Sequence, residues 1–202
     1  MKVRARPFLF VFVSVCLTGL GISLIVAANI GSDPLTILQQ GVSRNRSWPL
    51  WVAVMVVNVV LLLLAYVVNR QDFSWATVVD PIGVSLIVFI SNWLVAPLNI
   101  GHQTWLVRLI VMVLAQLLFS LAYALLIESG AGAHAMDVLL KKLTSKSRFS
   151  YPIIRYGFDG SMILIGVALG GTIGIGTAIS LLIQGYLVVL SRKFIQMRST
   201  NL

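Results

Sequence analysis

Two glycine-led polar segments hold much of what could react or bind in this chain: Gly31-Ser32-Asp33-Pro34-Leu35-Thr36 and Gly132-Ala133-His134-Ala135-Met136-Asp137. Each sits at the start of a helix. Asp33 stands where a side-chain oxygen accepts free backbone N–H groups, and Pro34 occupies the first turn, where its missing donor costs nothing. His134 and Asp137, spaced i and i+3, could hold a proton or a cation, although two ligands do not make a metal site. Four more polar residues, Asn58, Asp80, Arg155 and Asp159, fall inside apolar stretches. Arg155 and Asp159 share one helix face four residues apart and can neutralise each other. An ionised group at the centre of a membrane helix costs about 2.5–3.5 kcal/mol on insertion scales, so such groups face a bundle interior and pair there. Two readings stand. One is a structural ion pair with interhelical amide hydrogen bonds; the other is a substrate cavity built from Asp33, Thr36, Asn58, Asp80, His134, Asp137, Arg155 and Asp159.

Motifs for covalent or metal chemistry are missing from the sequence. It has no phosphate-cradling loop, no histidine pair at i and i+4, no nucleophile elbow and no paired-carboxylate motif for a divalent metal. The expectation is a protein that is not an enzyme and that needs neither a cofactor nor a metal. Of its 202 residues 58% are hydrophobic and only 10% charged, against about a quarter charged in soluble domains. The chain reads as an integral membrane protein, with the lipid bilayer as its first partner. Its net charge of +9 lies in short clusters between apolar runs, a topology signal and not a nucleic-acid-binding face. Cys16, the single cysteine, lies within the first apolar run and reads as a small buried side chain.

Six stretches approach the roughly 20 apolar residues that cross a bilayer: Phe8 to Ile30, Pro49 to Val68, Trp75 to Pro97, Trp105 to Glu128, Pro152 to Gly170 and Gly176 to Val189. The first is too long for the apolar core of a signal peptide, about 7–15 residues, and reads as an uncleaved span. All five tryptophans fall near span ends, where amphipathic rings prefer to sit. An even number of spans puts both termini on one side, together with Arg70 and the Lys141 to Arg148 loop. That side collects most of the lysine and arginine, from Lys2 and Arg4 onward, so it is cytoplasmic. The other side holds Arg44 and Arg46, with Arg108 just inside the fourth span, its charge reaching the headgroups. Arg70, Asp72 and Glu128 lie at span ends and read as solvated. Small residues every fourth position, Gly19-Ser23-Ala27-Gly31 and Gly166-Gly170-Gly174, predict close helix approach.

A shift of 101 residues superposes Gly31 on Gly132, Leu38 on Leu139, Leu63 on Leu164 and Asn58 on Asp159. Both halves run in one order: long span, glycine, polar helix start, basic loop, span with a central polar residue, third span. Three spans per half is odd, so the halves, about 1–100 and 101–202, enter from opposite sides as inverted repeats within one membrane domain. The short helix of the first half, about Pro34 to Gln40, would cover roughly 10 Å and either re-enters the membrane or lies in its interface. Met136, Leu139, Leu140 and Leu143 set against Lys141 and Lys142 favour an interfacial helix in the second half.

Ala27-Ala28-Asn29-Ile30-Gly31-Ser32-Asp33-Pro34-Leu35-Thr36, followed by Gly41, resembles the first-half signature of the bacterial YczE/YyaS/YitT family of small membrane proteins. The glycine-rich run from Ile165 to Thr177 is similar to that family's second-half signature. Thr36 stands where the family usually has aspartate, and Ala135 where it has proline. The resemblance implies a fold and a bacterial inner-membrane location, and no substrate. The leading expectation is a small-molecule secondary transporter working by alternating access between inverted repeats. A substrate-binding membrane subunit of an energy-coupling-factor uptake system is the rival, on size, helix count and basic charge. An accessory or interaction protein of the membrane is the third reading. A homodimer and an accessory membrane subunit both stay open as partners.

Overall fold

Apolar runs of this length become helices because lipid offers backbone N–H and C=O groups no partner, and a helix satisfies them within the segment. A computed structural model describes residues 6–200, so Lys2, Arg4 and Leu202 lie outside the described residues. Eight α-helices form, and no strand occurs among the described residues: α1 (Arg6–Ala28), α2 (Pro34–Arg46), α3 (Leu50–Val68), α4 (Trp75–Val95), α5 (Trp105–Ser129), α6 (Ala135–Lys146), α7 (Tyr151–Ala168) and α8 (Ile175–Thr200). Five of them, α1, α3, α4, α5 and α8, are long and apolar enough to cross a bilayer. The chain is a multi-pass membrane protein. The expected span from Pro152 to Gly170 forms as α7, yet it is not among the five, because Arg155 and Asp159 dilute its apolar character.

The first short helix exceeds expectation. Asp33 caps α2 through its side chain, but the helix continues past Gln40 to Arg46 and ends on Ser47 in the left-handed region. At 1.5 Å per residue its 13 residues cover about 20 Å, still short of a crossing. The last span begins where expected and runs as one helix beyond Val189.

The principal packings divide the helices into two groups. In one, α1 packs on α4 and α5, and α5 packs on α8; in the other, α2 packs on α3 and α7, and α6 packs on α3 and α7. The α3–α4 packing joins the two groups. Gly19 and Ser23 face α4, where the Ser23 hydroxyl meets the Val88 carbonyl and a Cβ on Gly19 would lie 2.6 Å from Ile87. Closer still is α2 on α7, where a Cβ on Gly41 would lie 2.3 Å from the Gly166 carbonyl oxygen and one on Gly166 would lie 2.7 Å from the Leu38 backbone nitrogen. Large apolar side chains such as Val67, Trp93 and Leu182 point outward, while Ser14, Ser23, Gln39, Gln116 and Ser180 are buried. That inversion is what a lipid-facing exterior requires.

Two span-end residues, Arg108 and Glu128, differ from the headgroup and solvated positions expected of them, while Asp72 stays exposed as expected. Arg108 turns inward, its Nε donating to the Ala28 carbonyl at 2.7 Å and its guanidinium also to Asn29, so it closes the C-terminus of α1. Glu128 pairs with Arg192 at 2.8 Å, tying α5 to α8. Asp72 pairs with Lys141 at 2.8 Å, and this contact with the Asn69 amide holds its exposed carboxylate below the ordinary range.

Candidate functional site

Between the two helix groups lies a cavity of about 130 Å³. The first group contributes Thr18 and Ile22 of α1, Asp80, Pro81 and Val84 of α4, Phe119 and Tyr123 of α5, and Gln184 of α8. Across from them stand the starts of α2 and α6 and the middles of α3 and α7. All eight residues singled out in the sequence, Asp33, Thr36, Asn58, Asp80, His134, Asp137, Arg155 and Asp159, line this one cavity.

Local backbone geometry aims the two helix starts. Gly31 and Gly132 both have positive φ, 103° and 149°, a conformation that L side chains rarely adopt, so each chain turns sharply from a span into the short helix. Each turn is also clamped from the opposite half. The Ile30 carbonyl accepts from the Gly176 backbone at 2.8 Å, while the Ala133 carbonyl accepts from the Thr77 hydroxyl at 2.9 Å. Asp33 Oδ1 then accepts the Thr36 N–H at 3.1 Å, satisfying one free donor of α2. Burial pushes the Asp33 carboxyl up from its ordinary range, against the pull of the Thr36 hydrogen bonds.

Partners within the cavity follow a pattern that sequence spacing did not predict. His134 pairs with Asp80, 54 residues away, at 2.8 Å through Nδ1, and not with Asp137 three residues on. The His134 ring stacks on Tyr123, with ring centroids 5.1 Å apart. Asp137 instead accepts from the Tyr123 hydroxyl and from Arg155 Nη1, the latter at 3.3 Å. Arg155 reaches Asp159 as well, Nε to Oδ2 at 3.0 Å, as the i, i+4 spacing predicts. One guanidinium therefore serves two carboxylates, so neutralising either carboxylate leaves Arg155 paired. Gln39 Nε2 donates to Asn58 Oδ1 at 3.0 Å, joining α2 to α3.

For His134, burial alone would lower the imidazole's pKa, but the Asp80 charge and hydrogen bond, with the Asp137 charge, outweigh it. The folded-state value stands above the ordinary 6.5.

Tyr123, Gln39 and Pro81 were not anticipated as site residues. Tyr123 does carry a readable signal, a phenol inside a span otherwise rich in leucine and alanine. Pro81 interrupts α4 immediately after Asp80; its missing N–H breaks one intrahelical hydrogen bond beside the carboxylate. A second recess of about 430 Å³, lined by Asp72, Lys141, Tyr151 and neighbours, shares Tyr123 and Asp137 with the cavity. The Tyr123–Asp137 hydrogen bond thus stands where the two spaces meet. Among the described residues no three His, Cys, Asp or Glu side chains converge as a metal-ligand set.

No solved structure matches this chain. A protein of Haemophilus influenzae, described as uncharacterized, is 26% identical over 180 residues, covering 86% of this chain and 80% of that protein. Residues 5–193 match a family described as a family of unknown function, DUF6198. That match takes in all eight residues singled out in the sequence, both helix starts and nearly the whole helical fold, and by it the chain belongs to the DUF6198 family.

Proposed function

We propose that this protein is a secondary carrier of a small molecule, working by alternating access between two inverted repeats in a bacterial inner membrane. The observation that carries the reading is the cavity between the two helix groups, to which both halves of the chain contribute polar side chains. Exchanging α1 with α5, α2 with α6, α3 with α7 and α4 with α8 turns α1–α4 into α5–α8, α2–α7 into α6–α3 and α2–α3 into α6–α7, all of which are principal packings. Inverted repeats predict this correspondence. One pair breaks it: α3 packs along α4, but α7 has no contact of that extent with α8. Such an asymmetry fits a carrier caught on one side of its cycle, with one flank closed and the other parted.

On this reading α7 completes six spans, and its Arg155–Asp159 pair is tolerated because it faces the cavity and not lipid. The recess beside Asp72, Lys141 and Tyr151 is then the cytoplasmic vestibule, and the Tyr123–Asp137 hydrogen bond its inner gate. The segments that resemble the YczE/YyaS/YitT family include the first helix start and the α7–α8 turn, which supports that kinship as part of the proposal.

Two-sided chemical access is the test. Thr18→Cys, introduced into a Cys16→Ser background, places a thiol on the cavity wall. An impermeant maleimide should label it from either face of oriented vesicles in separate experiments. Labelling from one face alone would rule out alternating access. Stable co-purification of an ATPase-containing partner, with no transport by the purified chain in liposomes, would favour the uptake-subunit reading instead.

A further inference from the structure

Four buried side-chain atoms accept no hydrogen bond in the described fold: Asp33 Oδ2, Gln39 Oε1, Asp80 Oδ1 and Gln116 Oε1. All are oxygens, and three belong to residues on the cavity wall. Asp80 is only 7% exposed and Gln39 fully buried. Several of the cavity's donors, by contrast, are engaged. Arg155 is shared by Asp137 and Asp159, the His134 Nδ1 meets Asp80, and the Gln39 amide nitrogen is held by Asn58. A buried polar group without a partner costs free energy, and more when it carries charge. The wall therefore asks for hydrogen-bond donors and positive charge. Exchanging the Gln39 amide oxygen and nitrogen would alter its share, whereas the two oxygens of an ionised carboxylate are both acceptors, so Asp33 and Asp80 carry the argument.

Charge points the same way. Four carboxylates, Asp33, Asp80, Asp137 and Asp159, face one guanidinium and one imidazole. Asp33 has no cationic partner; Thr36 is its neutral hydrogen-bond donor, its N–H meeting Oδ1 at 3.1 Å. The carboxylates are spread around the wall and do not converge on one point. A bare metal ion needs its oxygens within about 2.0–2.6 Å of one centre. A cation carrying several N–H donors reaches separated acceptors. Size narrows the class further, since a cavity of about 130 Å³ is well under the roughly 300–1,000 Å³ of pockets for drug-sized ligands. It holds on the order of four waters at about 30 Å³ each.

We propose that the cavity is a binding site for a small, hydrogen-bond-donating cation of the ammonium or guanidinium type, held between Asp33, Gln39 and Asp80. The inference deepens the carrier reading and rests on it for the cavity's being reached from water.

Full-length protein in detergent is titrated with guanidinium, methylammonium, tetramethylammonium and sodium chlorides at constant ionic strength, and binding is read by calorimetry and thermal shift. Guanidinium or methylammonium should bind saturably, and tetramethylammonium, which has no N–H donor, should not. Asp33→Asn keeps an oxygen that caps α2 and should weaken binding by about tenfold or more, which is 1.4 kcal/mol. Asp33→Glu, which retains the charge, should bind more tightly than Asp33→Asn. Equal binding of tetramethylammonium, binding of sodium alone, no binding by any of the four, or unchanged affinity in a folded Asp33→Asn would each overturn the proposal. Flux in liposomes separates it from the carrier reading. Cation binding without flux leaves the site and removes the carrier, whereas flux of a neutral solute without cation binding leaves the carrier and removes the site.

Discussion

At the scale of single residues, His134 has the least expected partner. Its contact with Asp80 bridges the two helix groups, and Tyr123, Asp137 and Arg155 are its other titratable or charged neighbours. Because the folded state holds the imidazole proton more tightly than the unfolded chain, this contribution to stability is fully present below about pH 6.5, the ordinary histidine value. It is lost as pH rises through the folded-state value. Thermal stability in detergent should therefore fall between mildly acidic and mildly alkaline pH. In His134→Gln the protein should be less stable at low pH, and this part of the slope should vanish. An identical slope in the variant would assign the pH dependence to another group. If Tyr123 and Asp137 gate the cavity, the same protonation lies one ring away from the gate.

Among the elements, the α2–α7 contact decides where the first helix start can sit. Gly41 and Gly166 face each other across it, and a Cβ at Gly166 would lie 2.8 Å from the Ile37 carbonyl carbon, a backbone atom that cannot rotate away. Gly166→Ala must push the helices apart. Overpacking of this kind costs about 1–3 kcal/mol, occasionally more, and should also shift Asp33 relative to Asp80. Gly160 lies on the same helix with open space where its Cβ would be. Gly160→Ala should be neutral or stabilising by up to about 1 kcal/mol, the difference in helix propensity. Paired thermal denaturation of the two variants makes the comparison. Equal melting temperatures would mean that α2 and α7 are not pressed together in the membrane.

For the whole molecule the open question is whether α7 crosses. Six crossings put Lys146 and Leu202 on the cytoplasmic side and Arg46 and His102 outside, in keeping with the distribution of basic residues. Were α7 to stay on one face, the chain would cross five times, and Leu202 would lie opposite to Lys146. Reporter fusions at the four positions distinguish these outcomes. Cytoplasmic signals at both Lys146 and Leu202 are expected, with exterior signals at Arg46 and His102. An exterior signal at Leu202, or a cytoplasmic one at Arg46, would break the inverted-repeat arrangement and with it the proposed mechanism.

The apolar runs, the Asp33 cap and the positions of ionisable residues inside them were legible from the chain, because span length, capping and the cost of charge in lipid are local properties. Locality also explains why the Arg155–Asp159 ion pair is legible in the sequence, since i, i+4 spacing brings the two side chains together on any regular helix. Asn58 and Asp159, matched by the 101-residue shift, likewise line one cavity. Partner choice was not local. That His134 turns to Asp80 and leaves Asp137 to Tyr123 and Arg155 depends on how α4, α5, α6 and α7 are rotated about their own axes. So does the inward turn of Arg108, whose sequence position is equally compatible with a headgroup contact. Hydropathy is nearly uniform around the long spans α1, α3 and α5 and carries little information about their rotation. Only packing, through contacts such as Gly166 on Leu38 and Gly19 on Ile87, selects which face looks inward and which acids meet which bases.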